Sequence, residues 1–174
     1  DNTLFLRDFS AALQPFIRAG LMNSLSQTVI KLTAPGVPDI YQGSEGLNFS
    51  LVDPDNRREP DFAALAENLS VADGTVFNDA QRWRDGSVKQ YVTATLLRLR
   101  PHYPALFRYG DWLPLKVTGE REENLIVYAR IKDDEALIVA VPRLVFDVTD
   151  NAMLWANTTV AIPQALAGKH YRDQ

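Results

Sequence analysis

The chain has 174 residues, of which 46% are hydrophobic and 23% charged, a balance typical of one globular domain or two small ones. The net charge is −4 and no stretch concentrates basic residues, so we expect no nucleic-acid partner. No apolar run approaches the length of a membrane span, and the absence of cysteine excludes disulfides and thiolate metal sites. We therefore expect no membrane partner and a reducing, cytoplasmic location.

The first third of the sequence predicts two helices. Apolar residues recur at three- and four-residue spacing from Phe5 to Phe16, and again from Leu21 to Leu32. Pro15 lacks a backbone N–H, so we expect it to end or kink the first helix.

A short, mostly apolar run at residues 37–41 then predicts a buried strand, followed by a polar loop at residues 43–60. Loops of this length in compact domains tend to be functional. A lone strand cannot satisfy its backbone hydrogen bonds, so we expect its neighbours to lie in upstream sequence. The chain is accordingly expected to be a fragment whose first half is the tail of an α/β domain.

Two further helices are predicted beyond the loop. One opens at Asp61, and the other runs from Ser87 to Arg100, where Ser87 and Gln90 have the spacing of a capping box. Pro101 is expected to end the second helix.

After residue 110 the apolar period changes from helical to alternating, which predicts strands. Candidate strands are residues 112–117, 125–131, 136–141 and 158–162, with a polar turn at residues 132–135 making a hairpin of the second and third. This half of the chain therefore predicts a small antiparallel sheet or sandwich.

The densest group of chemically useful side chains is SLVDPDNRR at residues 50–58. Two carboxylates, an amide and two guanidiniums offer the acceptors and donors that a hydroxyl-rich neutral ligand such as a sugar needs. Tyr41 and Phe49 could supply flat apolar faces beside them. In the alternative interpretation, the two arginines pair with Asp53 and Asp55 and only hold the loop together.

Other residues give weaker signals. The two histidines, His102 and His170, are far apart, so we expect no metal site. The three tryptophans could stack on a sugar, although a structural tryptophan in a core is the commoner case: Trp83, Trp112 and Trp155.

The segment PGVPDIYQGSE at residues 35–45 resembles the last barrel strand of the α-amylase superfamily of glycoside hydrolases. Together with SLVDPDNRR, it is similar to the maltooligosyltrehalose synthase family within that superfamily. The resemblance implies an α/β plus all-β fold. Residues 1–106 would be the C-terminal piece of a (β/α)8 TIM barrel, and residues 107–174 a small antiparallel β-sandwich domain, here truncated.

The resemblance also implies a function. Members of the family are intramolecular transglycosylases, (1→4)-α-D-glucan 1-α-D-glucosylmutases, which convert the reducing-end α-1,4 bond of a maltooligosaccharide into an α,α-1,1 bond during trehalose synthesis. The superfamily mechanism is a retaining double displacement that uses two carboxyl groups and no cofactor. Those catalytic carboxylates are expected upstream of this chain, so the isolated chain should be inactive.

On this resemblance, the last strand and its loop would line or brace the sugar pocket. The implied substrate-binding residues are Tyr41, Gln42, Asp53, Asp55, Asn56, Arg57 and Arg58. The sequence departs from the family pattern at residues 46–48 and at Glu59, which affects the details of substrate contact. The expected partners are a maltooligosaccharide and the missing N-terminal part of the same polypeptide, and the fragment could self-associate through exposed strand edges. Two alternatives remain, another hydrolase or transferase of the superfamily and a non-catalytic α-glucan-binding module.

Overall fold

The computed structural model describes residues 2–148 and 155–173, in which helices come first and small antiparallel sheets last. The helices are α1 (Asn2–Thr33), α2 (Phe62–Val71), α3 (Ala80–Arg84), α4 (Ser87–His102) and α5 (Pro104–Tyr109). The strands are β1 (Asp111–Pro114), β2 (Val117–Thr118), β3 (Leu125–Lys132), β4 (Glu135–Pro142) and β5 (Thr159–Val160). The predicted order of helical and β regions is confirmed. Within the described ranges, no helix combines the length and apolar character needed to cross a membrane.

The prediction of two helices before residue 35 is wrong. The chain forms one continuous helix, α1, with Pro15 inside it. Pro15 cannot donate to the carbonyl of Ala11, one turn earlier. Ala11 lies on an exposed stretch of the helix, where water can satisfy that carbonyl, so the missing hydrogen bond does not stop the helix.

The starts of α2 and α4 are capped differently. The Asp61 carboxylate accepts a hydrogen bond from the Ala64 N–H at 2.9 Å, as expected for the start of α2. The capping box predicted for α4 is wrong, because Gly86 is the cap residue and the Ser87 hydroxyl is buried without a hydrogen-bond partner among the described residues. The carboxylate of Asp85 instead accepts from the Ser87 N–H at 2.9 Å.

The larger sheet has the order β1–β3–β4 and is antiparallel throughout. The predicted hairpin is confirmed as β3–β4, with Lys132 opposite Glu135 and a two-residue turn whose first residue, Asp133, has a φ of 52°. The run at residues 112–117 is divided between two sheets, because β1 pairs with β3 whereas β2 pairs with β5.

The larger sheet is covered on both faces. On one face, the core contains Leu115, Val127, Ala129 and Leu166. On the other, Tyr128, Val139 and Val141 pack against the last turns of α1 through Val29 and Ile30. Burial on both faces explains why β3 shows a nearly continuous apolar sequence rather than a strict alternation of apolar and polar residues.

A buried arginine joins the helices to this sheet. The Arg130 side chain, on β3, is only 1% exposed and its guanidinium donates to carbonyls at the ends of two helices. The Thr33 carbonyl accepts at 3.1 Å, and the carbonyls of Leu106, Phe107 and Gly110 accept at 3.0–3.2 Å. Because the last carbonyls of a helix lack partners within it and carry partial negative charge, a cation at this position stabilises both helix ends.

Candidate functional site

The prediction of a buried strand at residues 37–41 is wrong, because these residues belong to no helix or strand, although their exposure alternates. Pro38 and Ile40 are partly buried, whereas Val37, Asp39 and Tyr41 are exposed. Within the described ranges this segment pairs with no other strand. A lone strand cannot satisfy its backbone hydrogen bonds, which agrees with the irregular structure of this segment.

Arg100 fixes the point at which this segment leaves α1. Its guanidinium donates to the Leu32 carbonyl at 2.8 Å and to the Gly36 carbonyl at 3.3 Å, and it lies over the ring of Phe107 at 4.7 Å. Burial, and secondly the positive charge of Arg130, lower the pKa of Arg100 below its ordinary value. Two arginines from different elements therefore hold the end of α1, immediately before the candidate site.

The base of the 43–60 loop is held against α4 by close backbone packing. Gly43 has a φ of 83°, and a side chain there would also meet the ring of Pro60 at 3.0 Å. Gly86 has a φ of 88°, and a Cβ at this position would lie 2.7 Å from the backbone nitrogen of Leu47. Both positions require glycine, since the left-handed conformation and the close approach each exclude a side chain.

A lysine adds a polar anchor at the same place. The Lys89 ammonium, on α4, donates to the carbonyl of buried Gly46 at 2.8 Å. The pKa of Lys89 is lowered, first by burial and then by the positive charge of Lys31, while Glu45 acts in the opposite direction. One carboxylate oxygen of Glu45 is buried and has no hydrogen-bond partner in the described part of the chain.

At the other end of the loop, residues 53–58 form two ion pairs. Arg57 donates to both carboxylate oxygens of Asp53, at 2.5 and 3.1 Å, and Arg58 donates to the carboxylate of Asp55. The second oxygen of Asp55 accepts from the Leu51 N–H at 2.7 Å. This hydrogen bond closes a turn at residues 51–55, immediately before a short 3-10 helix at Asp55–Arg57. The alternative interpretation, in which the arginines pair with the aspartates and hold the loop, describes these contacts.

The same geometry leaves the loop accessible to a ligand. The side chains of Arg57 and Arg58 are 70% and 81% exposed, and exposed ion pairs contribute only about 0–1 kcal/mol. A guanidinium can therefore exchange a carboxylate oxygen for a ligand oxygen at small cost in free energy. The turn also fixes the backbone that carries both groups, which reduces the entropy lost when a ligand binds.

The seven predicted site residues lie in two groups. Asp53, Asp55, Arg57 and Arg58 are brought together by the ion pairs, and Asn56 lies exposed between them. Tyr41 and Gln42 are exposed at the start of the loop, where the Tyr41 carbonyl accepts from the Ser44 N–H at 3.0 Å. No hydrogen bond or ion pair between described residues joins these two to the 53–58 group.

Lys89 and Arg100 organise the site, and local sequence pattern assigned them no role. Lys89 and Arg100 lie on an amphipathic helix, where a lysine or arginine is ordinarily a solvated residue. Their partners are backbone carbonyls 43 and 68 positions away in sequence, so no local signal marks them.

The weaker candidates have structural surroundings. Trp83 donates its ring N–H to the Phe77 carbonyl at 3.0 Å and stacks edge-on with the Phe77 ring. Trp112 packs against Tyr128, and the His102 ring lies 2.7 Å from the Arg98 carbonyl at the end of α4. These contacts favour the structural interpretation for all three rings.

The known proteins that are similar to this chain in sequence and in structure are named as maltooligosyl trehalose synthases. A curated relative from Mycobacterium tuberculosis, provisionally named maltooligosyl trehalose synthase, is 32% identical over 141 residues, or 81% of this chain. The solved maltooligosyltrehalose synthase from Arthrobacter ramosus is 35% identical and superposes with a TM-score of 0.63 over 88% of this chain. A second solved structure of a maltooligosyl trehalose synthase is 28% identical, with a TM-score of 0.62 over 78% of this chain. No family model matches the sequence.

The resemblance to maltooligosyl trehalose synthases is thus confirmed over about four fifths of the chain. The solved relatives share its arrangement of helices followed by small antiparallel sheets. The chain spans only 16% of the length of the curated relative and 18–20% of the solved structures.

Proposed function

We propose that this chain is the C-terminal portion of a maltooligosyltrehalose synthase, and that the whole polypeptide is an isomerase acting on maltooligosaccharides. Its reaction would move the reducing-end glucose from an α-1,4 to an α,α-1,1 linkage. The observation that carries the proposal is the similarity to maltooligosyltrehalose synthases, in sequence and in fold, over most of this chain. Within the cell, we place the enzyme in the cytoplasm.

The domain organisation belongs to the same proposal. Residues 1–106 would complete a (β/α)8 barrel with the rest of the polypeptide, and residues 107–174 would belong to a β-sandwich domain packed on it. The segment at residues 37–41 is unpaired and largely exposed, which supports this, since a barrel strand needs a neighbour on each side. In a barrel, the loop at residues 43–60 would follow the C-terminal end of its strand, the face at which barrel enzymes carry their active sites.

In this proposal the loop binds sugar rather than performing the bond exchange. Arg57 and Arg58 would donate to sugar hydroxyls or to a pocket carboxylate, while Asp53, Asp55 and Asn56 accept from hydroxyls. Tyr41 and Gln42 would contact the substrate from the end of the strand. The two catalytic carboxyl groups would lie elsewhere in the polypeptide, so the isolated chain would be inactive.

Holding the released glucose is the special requirement of this reaction. The glucose must turn within the pocket and attack through its anomeric hydroxyl before water does, which requires a site that excludes solvent. A loop held at its base by Gly86 and Lys89 and internally by two ion pairs is suited to cover such a pocket, because little of it needs to be ordered on binding.

The test is to supply maltopentaose to the full-length polypeptide and follow reducing ends and free glucose over time. Loss of reducing ends with little glucose is the expected result. A rise in reducing ends would instead identify a hydrolase of the same superfamily, and no change would favour a binding module. The 174-residue chain, assayed in parallel, should show neither change.

A second measurement tests whether the rest of the polypeptide packs on this chain. Leu4, Phe5, Phe9 and Phe16 on α1 are at least half exposed, and we propose that the rest of the polypeptide covers them. The isolated chain should therefore associate, with a mass in light scattering that rises with concentration. A monodisperse monomer would contradict this part of the proposal.

A further inference from the structure

The 43–60 loop is closed at its base. Gly43 and Pro60, at its two ends, pack so closely that a Cβ on Gly43 would lie 3.0 Å from the Pro60 ring. The loop tip, residues 48–58, is held together by its own hydrogen bonds and ion pairs. The contacts of the loop base, residues 43–47, therefore set where the tip lies relative to the rest of the molecule.

Lys89 supplies a charged hydrogen-bond donor to this base. Its side chain reaches from the first turn of α4, and its ammonium donates to the Gly46 carbonyl at 2.8 Å. Gly46 is buried, and a hydrogen bond from a charged donor is stronger than one between neutral groups. The contact thus fixes the loop base to α4 in both position and direction.

The same position is unfavourable for a lysine. The positive end of the helix dipole lies at the first turn of α4, which contains no acidic residue. Burial lowers the pKa of Lys89, and the positive charge of Lys31 on α1 lowers it further, whereas Glu45 raises it. Burial, the like charge and the helix dipole all disfavour the ammonium, so the Gly46 hydrogen bond is formed at a cost in stability.

We infer that Lys89 is a positioning residue that determines how often the enzyme transfers the glycosyl unit to the released glucose rather than to water. This inference rests on the proposed function, in which the loop covers the pocket where the glucose turns. A fixed loop base keeps the tip over the pocket during that turn, and a loose base admits water. A residue placed against the demands of local stability is more often functional than structural.

The two outcomes differ in the group that attacks. In transfer, the anomeric hydroxyl of the glucose attacks the glycosyl-enzyme, the bond to the enzyme carboxylate breaks, and the hydroxyl proton passes to the second carboxyl group. In hydrolysis, water attacks the same carbon and gives up its proton to the same group. Transfer yields a non-reducing product, whereas hydrolysis yields free glucose and a maltooligosaccharide shorter by one unit.

The test is the ratio of free glucose to non-reducing product formed from maltopentaose by the full-length polypeptide. Partly unfolded enzyme does not change this ratio, because only active molecules form either product. K89M keeps the side-chain volume but removes the donor, and the ratio should rise at least about tenfold, as expected for the loss of a hydrogen bond from a charged group. K31M is the matched control, since it removes a positive charge from the surroundings of Lys89 but leaves the donor to Gly46, and its ratio should match that of the wild type.

The Tm of the same variants separates positioning from a structural role. In K89M the lost hydrogen bond and the relieved cost of the buried charge oppose each other, so the Tm should change little. A structural role would instead lower the Tm and leave the product ratio unchanged. K89Q, which is neutral but still polar, serves as a second variant if K89M yields no active protein, and its ratio should also rise.

Three results would overturn the inference. An unchanged product ratio in active K89M or K89Q would show that the anchor does not control access of water. An equal rise in K31M would assign the effect to local charge rather than to the contact with Gly46. A wild-type polypeptide that forms glucose and no non-reducing product would contradict the proposed function, and this inference with it. A wild type that forms the non-reducing product while K89M keeps the wild-type ratio would contradict this inference alone.

Discussion

Replacing Arg130 by methionine tests whether the buried guanidinium holds the helices to the sheet. Methionine keeps most of the side-chain volume but removes every donor. Among the described residues, the buried carbonyls of Thr33 and Phe107 would lose their hydrogen-bond partner, whereas the Leu106 carbonyl would still accept from the Gly110 N–H at 2.9 Å. The change therefore leaves two buried acceptors unsatisfied, and a third acceptor, the half-buried Gly110 carbonyl, also loses Arg130 as its donor.

The magnitude follows from that count. Each buried acceptor left without a partner costs about 1–3 kcal/mol, and the loss of a charged donor falls at the upper end of that range. Burial lowers the pKa of Arg130, which reflects a desolvation cost that the variant no longer incurs and which offsets part of the loss. We expect R130M to lower the free energy of unfolding by about 2–5 kcal/mol, a large part of the stability of an ordinary domain.

The assay is equilibrium unfolding in urea, followed by circular dichroism at a low, fixed protein concentration. The conservative variant R130K should lose less, because an ammonium keeps the charge but has only three donors. R7M is the matched control, since Arg7 is exposed and, among the described residues, pairs only with its exposed neighbour Asp8, and it should change the free energy of unfolding by less than about 0.5 kcal/mol. A loss below about 1 kcal/mol for R130M would refute the assigned role.

Three further predictions follow. In the full-length polypeptide, R57A and R58A should each lower kcat/KM for maltopentaose at least about tenfold while Tm changes little, because both side chains are exposed and each lost ligand hydrogen bond is worth about 1.4 kcal/mol or more. If both variants kept the wild-type kcat/KM, the binding role of the loop would be wrong. Tyr128 is 2% exposed and its pKa is raised above 10.0, chiefly by burial, so the unfolded state loses this proton first and stability should fall as the pH rises above 10. In Y128F, the free energy of unfolding, measured in urea, should fall less steeply as the pH rises. An unchanged slope of this free energy against pH would show that another group titrates. G86A should destabilise the chain by about 1–3 kcal/mol, because it combines a φ of 88° with a 2.7 Å contact to Leu47. G20A, in a helix with open space around it, should stabilise by up to about 1 kcal/mol, and equal Tm values for the two would contradict the packing described for the loop.

Local pattern determined much of the secondary structure by itself. The hairpin β3–β4 was predicted from two apolar runs and a polar turn, and the start of α2 was predicted at Pro60 and Asp61, where the structure has Asp61 as the cap residue. Such features depend on residues within a few positions of one another, so the physical cause lies within the sequence window that predicts it. The kinship with maltooligosyltrehalose synthases also came from sequence, through two short segments of the candidate site.

Local pattern failed where exposure or distant contacts decided the outcome. Pro15 was expected to end or kink the first helix, yet the carbonyl of Ala11, which it leaves unpaired, lies on an exposed surface, so the helix continues. Ser87 had the spacing of a cap, but the close packing of Gly86 on Leu47 made the glycine the cap residue. Exposure and long-range packing are properties of the folded chain, and a short sequence window contains neither.

Only the tertiary structure gave the polar side chains around the site their partners. In the sequence, Arg130 is an ordinary strand residue and Arg100 an ordinary helix residue. In the structure, both donate to backbone carbonyls at the end of α1, which lie 97 positions from Arg130 and 68 positions from Arg100. Lys89 likewise reaches the Gly46 carbonyl across 43 positions. Backbone carbonyls are the same in every residue, so no sequence pattern marks them as partners. The fold alone determines which carbonyl each cation meets.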